Sequence, residues 1–350
     1  MRARKYYDAV RSNNSFYSAS FSQKKKIIKN MFLFFLTNLR KKEIIKNKPM
    51  IAQIEPNSTC NLKCQMCIRE KIGVPIGTMT FKNFKIIVDK LDCLFKLHLS
   101  GQGEPFLNPE LFSMIKYANQ RGASVFFTTN GTVLTKEIIN KICEVDIGEM
   151  AVSLDSPIKE KYEAIRKGAN FDQVIKNVKE LTKQIKEKKK KTIVGLTTII
   201  FKENIKELPE FVKLADFLGI KKIGFQKLQE KKDYTDKYGS FAKNQRVKEM
   251  NKEILKEIEL AKKLAKEKGI TLIFDEEKSL GCIWPWRSIY ITWNGFVTPC
   301  CKILDYRTPS FGNLLEEDLE SIWNGKEYQK YRKFLKKRKA LPSCVGCSSL

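Results

Sequence analysis

The sequence predicts an α/β fold built on a parallel sheet, followed by a small C-terminal α+β domain. Three observations carry that expectation. Between Met50 and Leu228, six short runs rich in Ile, Val, Phe or Thr alternate with stretches of helical period. Such alternation means βαβ crossovers, which are right-handed and build parallel sheets. Beyond residue 280 the composition changes, because all four Trp and five of the ten Cys lie there. A chain of 350 residues is long enough for more than one domain. The expected division is 1–49, a basic helical extension; 50–275, the core; and 276–350, the C-terminal domain.

The elements follow in order. Lys24–Lys42 holds a short apolar run, Met31–Leu39, between basic clusters. It superficially resembles a signal peptide, but it starts late and lacks a small-residue cleavage site. It is too short to span a bilayer. We read Gln23–Lys46 as an amphipathic helix capping the domain, with peripheral membrane contact through 24–42 as the alternative. The strand candidates are Met50–Glu55, Lys96–Ser100, Ser124–Thr129, Met150–Asp155, Thr192–Ile200 and Lys221–Leu228. Between them, Thr80 caps a helix carrying Phe84, Val88 and Leu91 on one face. Asn108-Pro109 opens the next helix and Gly122 closes it. Thr135 precedes Ile138, Ile139 and Ile142. Val174, Val178, Leu181 and Ile185 keep the same period, and a helix over Phe211–Leu218 stops at Gly219. A long charged helix, Asn244–Lys268, with Val247, Met250, Ile254, Ile258 and Ala261 inward, ends the core. Ser288–Trp293, Asn294-Gly295 and Phe296–Cys301 read as a hairpin with a type I′ turn.

In parallel α/β folds, ligands bind at the C-terminal ends of the strands. Cys60–Cys67, Gly101–Pro105, Asn130-Gly131 and Asp155 all follow strand candidates, so they should face one cavity. His98, flanked by Leu97 and Leu99, reads as a core residue of strand two. Thr198, Asn204, Gln226 and the tryptophans are candidates to line a substrate cavity, and no catalytic acid or base stands out.

Lys+Arg 66 against Asp+Glu 39 leaves a net charge of +27. Most of the excess is lysine, in runs without interleaved aromatics, as expected of solvated helix faces. A basic nucleic-acid-binding protein with structural zinc is the remote alternative. It would need clustered charge and a binding module, and neither is visible, so no specific nucleic-acid partner is expected.

The cysteines are not spaced as a disulfide framework. Cys60, Cys64 and Cys67 put three thiols on one polar loop. With one histidine in the chain, all-thiolate sites are favoured, meaning zinc or iron–sulfur. Three ligands with no fourth nearby favour a cluster with one open iron over a closed zinc site. Cys93 and Cys143 sit on apolar helix faces and read as core.

Cys60-Asn61-Leu62-Lys63-Cys64-Gln65-Met66-Cys67 resembles the cluster motif of the radical S-adenosylmethionine (SAM) enzymes. The resemblance runs through Gly77-Thr78-Met79-Thr80. It continues in Gly101-Gln102-Gly103-Glu104-Pro105, which is similar to the family's glycine-glycine-glutamate-proline motif with Gln102 as a departure. Val152-Ser153-Leu154-Asp155 and Tyr162-Glu163-x2-Arg166 follow. The resemblance implies a partial (β/α)6 TIM-like barrel. It also implies a [4Fe–4S] cluster on Cys60, Cys64 and Cys67. SAM contacts would come from Met66, Gly101, Gly103, Glu104, Pro105, Asn130, Ser153, Asp155 and Arg166, the last pairing with the SAM carboxylate or else with Glu163. Reductive cleavage of SAM would then give a 5′-deoxyadenosyl radical that takes hydrogen from a substrate carbon. A reductase or flavodoxin-type electron donor and a cytoplasmic location are implied as well.

Cys282, Cys300, Cys344 and Cys347, with Gly295-x4-Cys300, resemble the twitch or short SPASM-type domain of the same enzymes. That resemblance implies a small cluster-binding domain holding one auxiliary [4Fe–4S] cluster, two clusters in all, with Cys301 as the spare cysteine. Zinc in the four-cysteine site is the alternative. Two jobs recur among such enzymes: oxidation of a small polar or carrier-linked substrate, and modification of a peptide side chain. Residues 1–49 are short for a winged-helix peptide-recognition domain, which favours the first.

Overall fold

The computed structural model describes residues 13–228, 241–247, 251–274, 282–303, 305–307 and 310–337, together with Cys344 and Cys347. All six strand candidates form: β1 (Ile51–Ile54), β2 (Lys96–Leu99), β3 (Ser124–Thr129), β4 (Ile147–Ser153), β5 (Ile193–Ile200) and β6 (Lys222–Lys227). Three more join them: β7 (Thr271–Phe274), β8 (Ser288–Ile291) and β9 (Val297–Thr298). The sheet order is β9-β8-β1-β2-β3-β4-β5-β6-β7, and every neighbouring pair except β8–β9 is parallel. Because β1 to β6 lie side by side in chain order, right-handed crossovers put every linking helix on the same face, and the sheet curls into an open barrel.

Alternation along the strands separates two environments. Ala52, Ile54, Leu97, Leu99, Val125 and Val152 point outward into one core with Phe84, Ile115, Ile139, Val174 and Phe211 of the surrounding helices. The inward set includes Gln53, His98 and Phe126, which share a register row. His98 stacks on Phe126 with ring centroids 5.3 Å apart. Burial, aided by the charge of Lys96, pushes its pKa down to about 4, so the imidazole is neutral.

Side-chain caps start several of the helices. Thr80, Thr135 and Asn170 each accept a hydrogen bond from the third residue onward. The Asn108 expectation shifts: the helix is Leu111–Gln120, and Asn108 Oδ1 accepts from Glu110 N while its amide donates to Pro56 and Met79 carbonyls. The charged helix also begins later, at Lys252, because Asn251 accepts from Ile254 N and starts it afresh; Met250 lies outside the described residues. The N-terminal helix is Phe21–Arg40, six residues shorter at its end than expected, because Lys41 turns left-handed (φ 44°) and stops it.

The C-terminal segment is continuous with the barrel. β8 runs parallel beside β1, pairing Ile51 with Ser288 and Ile54 with Ile291. The β8–β9 turn is not type I′, which needs positive φ at both central residues. Only Gly295 is left-handed (φ 89°), and Gly295 N donates to Thr292 O, so a type I turn followed by a glycine bulge closes the hairpin.

Candidate active site at the C-terminal ends of the strands

The loop after β1 carries Cys60, Cys64 and Cys67. Lys63–Cys64 pairs antiparallel with Arg166–Lys167, which fixes the loop against the chain beyond β4. Cys60 and Cys64 are half-buried and Cys67 is exposed. Cys60 Sγ accepts from Leu62 N at 3.4 Å and from Asn130 Nδ2 at 3.8 Å. Arg166 Nη1 lies 3.9 Å from Cys64 Sγ. Burial raises the Cys60 thiol and pushes Cys64 up to about 11, and each also feels the charge of Cys67. Three thiols within electrostatic reach of one another suit a soft metal centre, whose binding takes thiolates and releases their protons.

The Gly101–Pro105 loop is pressed onto this one. A Cβ at Gly103 would fall 2.2 Å from Asn57 Oδ1 and 2.3 Å from the Thr59 carbonyl, so only glycine fits. Glu104 N donates to Thr59 O at 2.8 Å, and Asn57 Nδ2 donates to Glu104 O at 2.8 Å. The Glu104 side chain is 2% exposed and accepts from Thr129 Oγ1 and Asn130 N, each at 2.7 Å. Burial raises its pKa to about 7 against the pull of these donors. It therefore ties the glycine loop to the end of β3, and its carboxylate has little left for a ligand. Pro105 opens a short 3₁₀ turn beneath it.

Asp155 and Arg166 find each other. Arg166 Nη2 and Asp155 Oδ2 are 2.6 Å apart, both almost without solvent contact. Asp155 Oδ1 also accepts from Ile199 N at 2.8 Å. The alternative partner, Glu163, instead accepts from Phe171 N. Among the described residues, Arg166 Nε and Tyr162 Oη are buried without a hydrogen-bond partner, beside Cys64. Ser153 ends β4 and is half-buried on the inward side. Met66 packs with Ile68, Ile72, Ile165 and Phe201. Thr198 and Asn204 are structural: Thr198 Oγ1 donates to Leu154 O, and Asn204 Nδ2 to the Asp155 and Ile199 carbonyls. Gln226 is exposed.

Sequence reasoning missed Glu55. It lies just past β1, 3% exposed, and its carboxylate accepts from Gln102 N at 2.7 Å and Trp293 N at 3.3 Å, with the Tyr290 hydroxyl as a further donor. Burial pushes its pKa up to about 7. An acid at the end of a parallel strand was the available signal. Through Glu55 the glycine loop and the β8–β9 turn are held together. Trp293 completes the join: its indole fills the space a Gly77 side chain would need, and its Nε1 donates to Pro75 O.

Cys282, Cys300 and Cys344 pack into the main core at its C-terminal side, and Cys347 lies within electrostatic reach of Cys282. Burial pushes Cys282 up to about 11 and Cys300 up to about 12. Cys344 Sγ is 3.2 Å from the Tyr331 hydroxyl. Cys301 adjoins Cys300, and Cys93 and Cys143 are buried in the core as expected. Among the described residues, no three His, Cys, Asp or Glu side chains close on the point of a single metal ion. The all-thiol donor sets, the glycine cradle at Gly103 and the unpartnered Arg166 Nε are compatible with iron–sulfur clusters and an anionic cofactor group beside the first of them.

Comparison with known proteins agrees. Residues 54–215 match the radical SAM superfamily, and residues 282–348 match the SPASM iron–sulfur cluster-binding domain, which favours iron–sulfur over structural zinc. The chain is 28% identical over 317 residues to the tungsten-containing aldehyde ferredoxin oxidoreductase cofactor-modifying protein of Pyrococcus furiosus, covering 84% of this chain and 86% of that one. It is 27% identical to the AdoMet-dependent heme synthase of Methanosarcina barkeri, covering 82% and 85%. Among solved structures, Streptococcus suis SuiB bound to S-adenosylmethionine superposes with a TM-score of 0.66 at 18% identity, covering 85% of this chain and 71% of that one. SuiB has also been solved with its precursor peptide SuiA. The chain belongs to the radical SAM superfamily, as an enzyme with a C-terminal SPASM iron–sulfur domain.

Proposed function

We propose that Cys60, Cys64 and Cys67 hold one [4Fe–4S] cluster with SAM beside it, and that Cys282, Cys300, Cys344 and Cys347 hold a second. The reaction we propose is oxidation of a small polar or carrier-linked substrate. The observation that carries the reading is convergence: Asn130 reaches Cys60, Arg166 reaches Cys64, and Glu104 N bonds to Thr59 O. Bound there, the cluster and SAM supply one-electron cleavage of SAM and a 5′-deoxyadenosyl radical that takes hydrogen from the substrate. The chain's residues position and exclude. Gly101 and Gly103 let the loop backbone come close to the cofactor, the Ser153 hydroxyl faces the cavity, and Met66 with its apolar neighbours keeps water from the cysteine loop. The C-terminal segment, docked through Trp293 and through Arg307 on the Gly73 carbonyl, covers the barrel mouth. A substrate held there would give up one hydrogen atom and one proton, and a cluster held by Cys282, Cys300, Cys344 and Cys347 would supply the acceptor for its second electron. Two relatives that each span more than four-fifths of this chain, a cofactor-modifying protein and a heme synthase, support a non-peptide substrate; SuiB, solved with a precursor peptide, supports the alternative of a peptide.

Anaerobic reconstitution tests both sites together. Cys64→Ala should lose 5′-deoxyadenosine while keeping the auxiliary iron. Cys347→Ala should keep 5′-deoxyadenosine formation and lose oxidised product. Wild-type SAM cleavage by Cys64→Ala, or wild-type product from a Cys347→Ala protein lacking the second cluster, would overturn the assignment. Turnover on peptide pools but not on small-molecule pools would replace the substrate class with a peptide.

A further inference from the structure

We propose that the helix Phe21–Arg40 docks the protein on a bilayer surface that carries anionic lipid. The helix has two apolar faces. One, with Ile27 and Phe34, is buried against the barrel. Gln23 Nε2 donates to Asp92 O, and Asn30 exchanges hydrogen bonds with Lys48, so this face is firmly anchored. The other face is Phe21, Ile28, Phe32, Phe35, Leu36 and Leu39, exposed by between 43% (Leu36) and 83% (Phe21). At about 100° per residue these six fall within an arc of about 100°, and the stripe runs about 27 Å along the helix. An amphipathic helix of a globular protein should turn its apolar side inward. This one keeps a second apolar stripe, three phenylalanines among it, facing water. Contiguous exposed apolar patches mark interaction sites.

Charge identifies the occupant. From Phe21 to Lys42 there is no Asp or Glu; Lys24, Lys29, Arg40, Lys41 and Lys42 flank the stripe, and Lys25 falls within its arc. Of this segment's cations only Lys26 has an acidic partner, Asp92, among the described residues. Beyond the helix end a groove lined by Lys42, Glu43, Lys330, Lys333 and Lys336 lies beside exposed Ile44; Lys336 pairs there with Glu43, which leaves an excess of lysine in the groove. Two copies meeting through this stripe would bring their lysine flanks together, a like-charge arrangement that interfaces avoid. An anionic bilayer accepts both features: aromatic and aliphatic side chains enter the headgroup boundary, and the flanking lysines meet lipid phosphates. The helix does not cross the bilayer; no helix among the described residues is long and apolar enough to do so.

The placement is compatible with catalysis. The helix contacts Asp92, Phe95 and Gly122, all of which precede β2 or β3. It therefore covers the N-terminal ends of the strands, whereas Cys60, Cys64 and Cys67 follow the C-terminal end of β1. Docking would leave the barrel mouth pointing away from the lipid.

Flotation of the full-length, cluster-loaded protein tests the proposal. Vesicles of phosphatidylcholine plus phosphatidylglycerol should carry it upward, and vesicles of phosphatidylcholine alone should carry much less. Raising salt from about 0.1 M to about 1 M should weaken the capture, since the screening length falls from about 10 Å to about 3 Å. The triple variant Phe32→Ser/Phe35→Ser/Leu39→Ser changes only exposed side chains, so its folding and 5′-deoxyadenosine formation should match wild type while vesicle binding falls by roughly tenfold or more. Wild-type protein that stays unbound with anionic vesicles, or a triple variant that binds as well as wild type, overturns the proposal. So does a wild-type dimer that the triple variant converts to monomer without any vesicle binding, which would make the stripe a contact between copies.

Discussion

Arg166→Ala separates a residue that holds the scaffold from one that holds a ligand. In the structure the guanidinium is 2.6 Å from the Asp155 carboxylate, whose own side chain has no solvent exposure. Removing the cation leaves Asp155 with one remaining donor, Ile199 N, for a buried negative charge. Breaking one side of a buried pair costs about 3–5 kcal/mol, because the surviving charge keeps its desolvation penalty. The unfolding constant should therefore rise by roughly two to three and a half orders of magnitude. Anaerobic urea denaturation of the cluster-free protein reads this directly. The double variant Asp155→Asn/Arg166→Met should recover most of the loss, since replacing both charged partners is close to neutral. SAM affinity, measured separately on the cluster-loaded protein, would fall in Arg166→Ala through the displaced ribbon at Lys63–Cys64. A stability within about 0.5 kcal/mol of wild type, combined with weakened SAM binding, would refute the reasoning and return Arg166 to direct contact with SAM.

Two further outcomes follow from the site. Gly103→Ala places a Cβ against the Thr59 carbonyl and Asn57 side chain, so the loop must move. SAM affinity should drop by about tenfold or more while iron content holds; unchanged calorimetric binding would contradict the cradle. Glu55 keeps its proton to about pH 7 when folded, against an ordinary value of 4.5. The folded state thus binds the proton more tightly, and this group's stabilising contribution, present below 4.5, is lost as pH rises toward about 7. The loss approaches about 3 kcal/mol. Comparing denaturation across that window, Glu55→Gln should flatten the decline, and an equal pH slope in the variant would show that Glu55 is not the cause.

Much of this architecture was legible because the signals are local. β1 and β3 to β6 carry β-branched or aromatic residues, β2 alternates leucine with polar residues, and Thr80 and Thr135 cap helices with their own side chains. Cys60–Cys67 announces itself by spacing alone. What the sequence could not carry was pairing across distance. β8 joins β1 from more than two hundred residues away, and β7, as short as β1 and β2, extends the far edge of the sheet beside β6. Periodicity marked the N-terminal helix as amphipathic but could not tell that one apolar stripe would face the barrel and another would face out. The residues carried over by family likeness show the same limit. Glu104, Asp155 and Arg166 were expected among the contacts to SAM. The structure bonds Glu104 to Thr129 and Asn130, and Asp155 to Arg166 and Ile199. A carboxylate has about four acceptor positions. Three of Glu104's are already taken, counting Phe106 N at 3.4 Å. We propose that Glu104 and Asp155 act chiefly by fixing the loops whose backbone and glycines would lie against the cofactor, so that they shape the SAM site more than they contact its ligand.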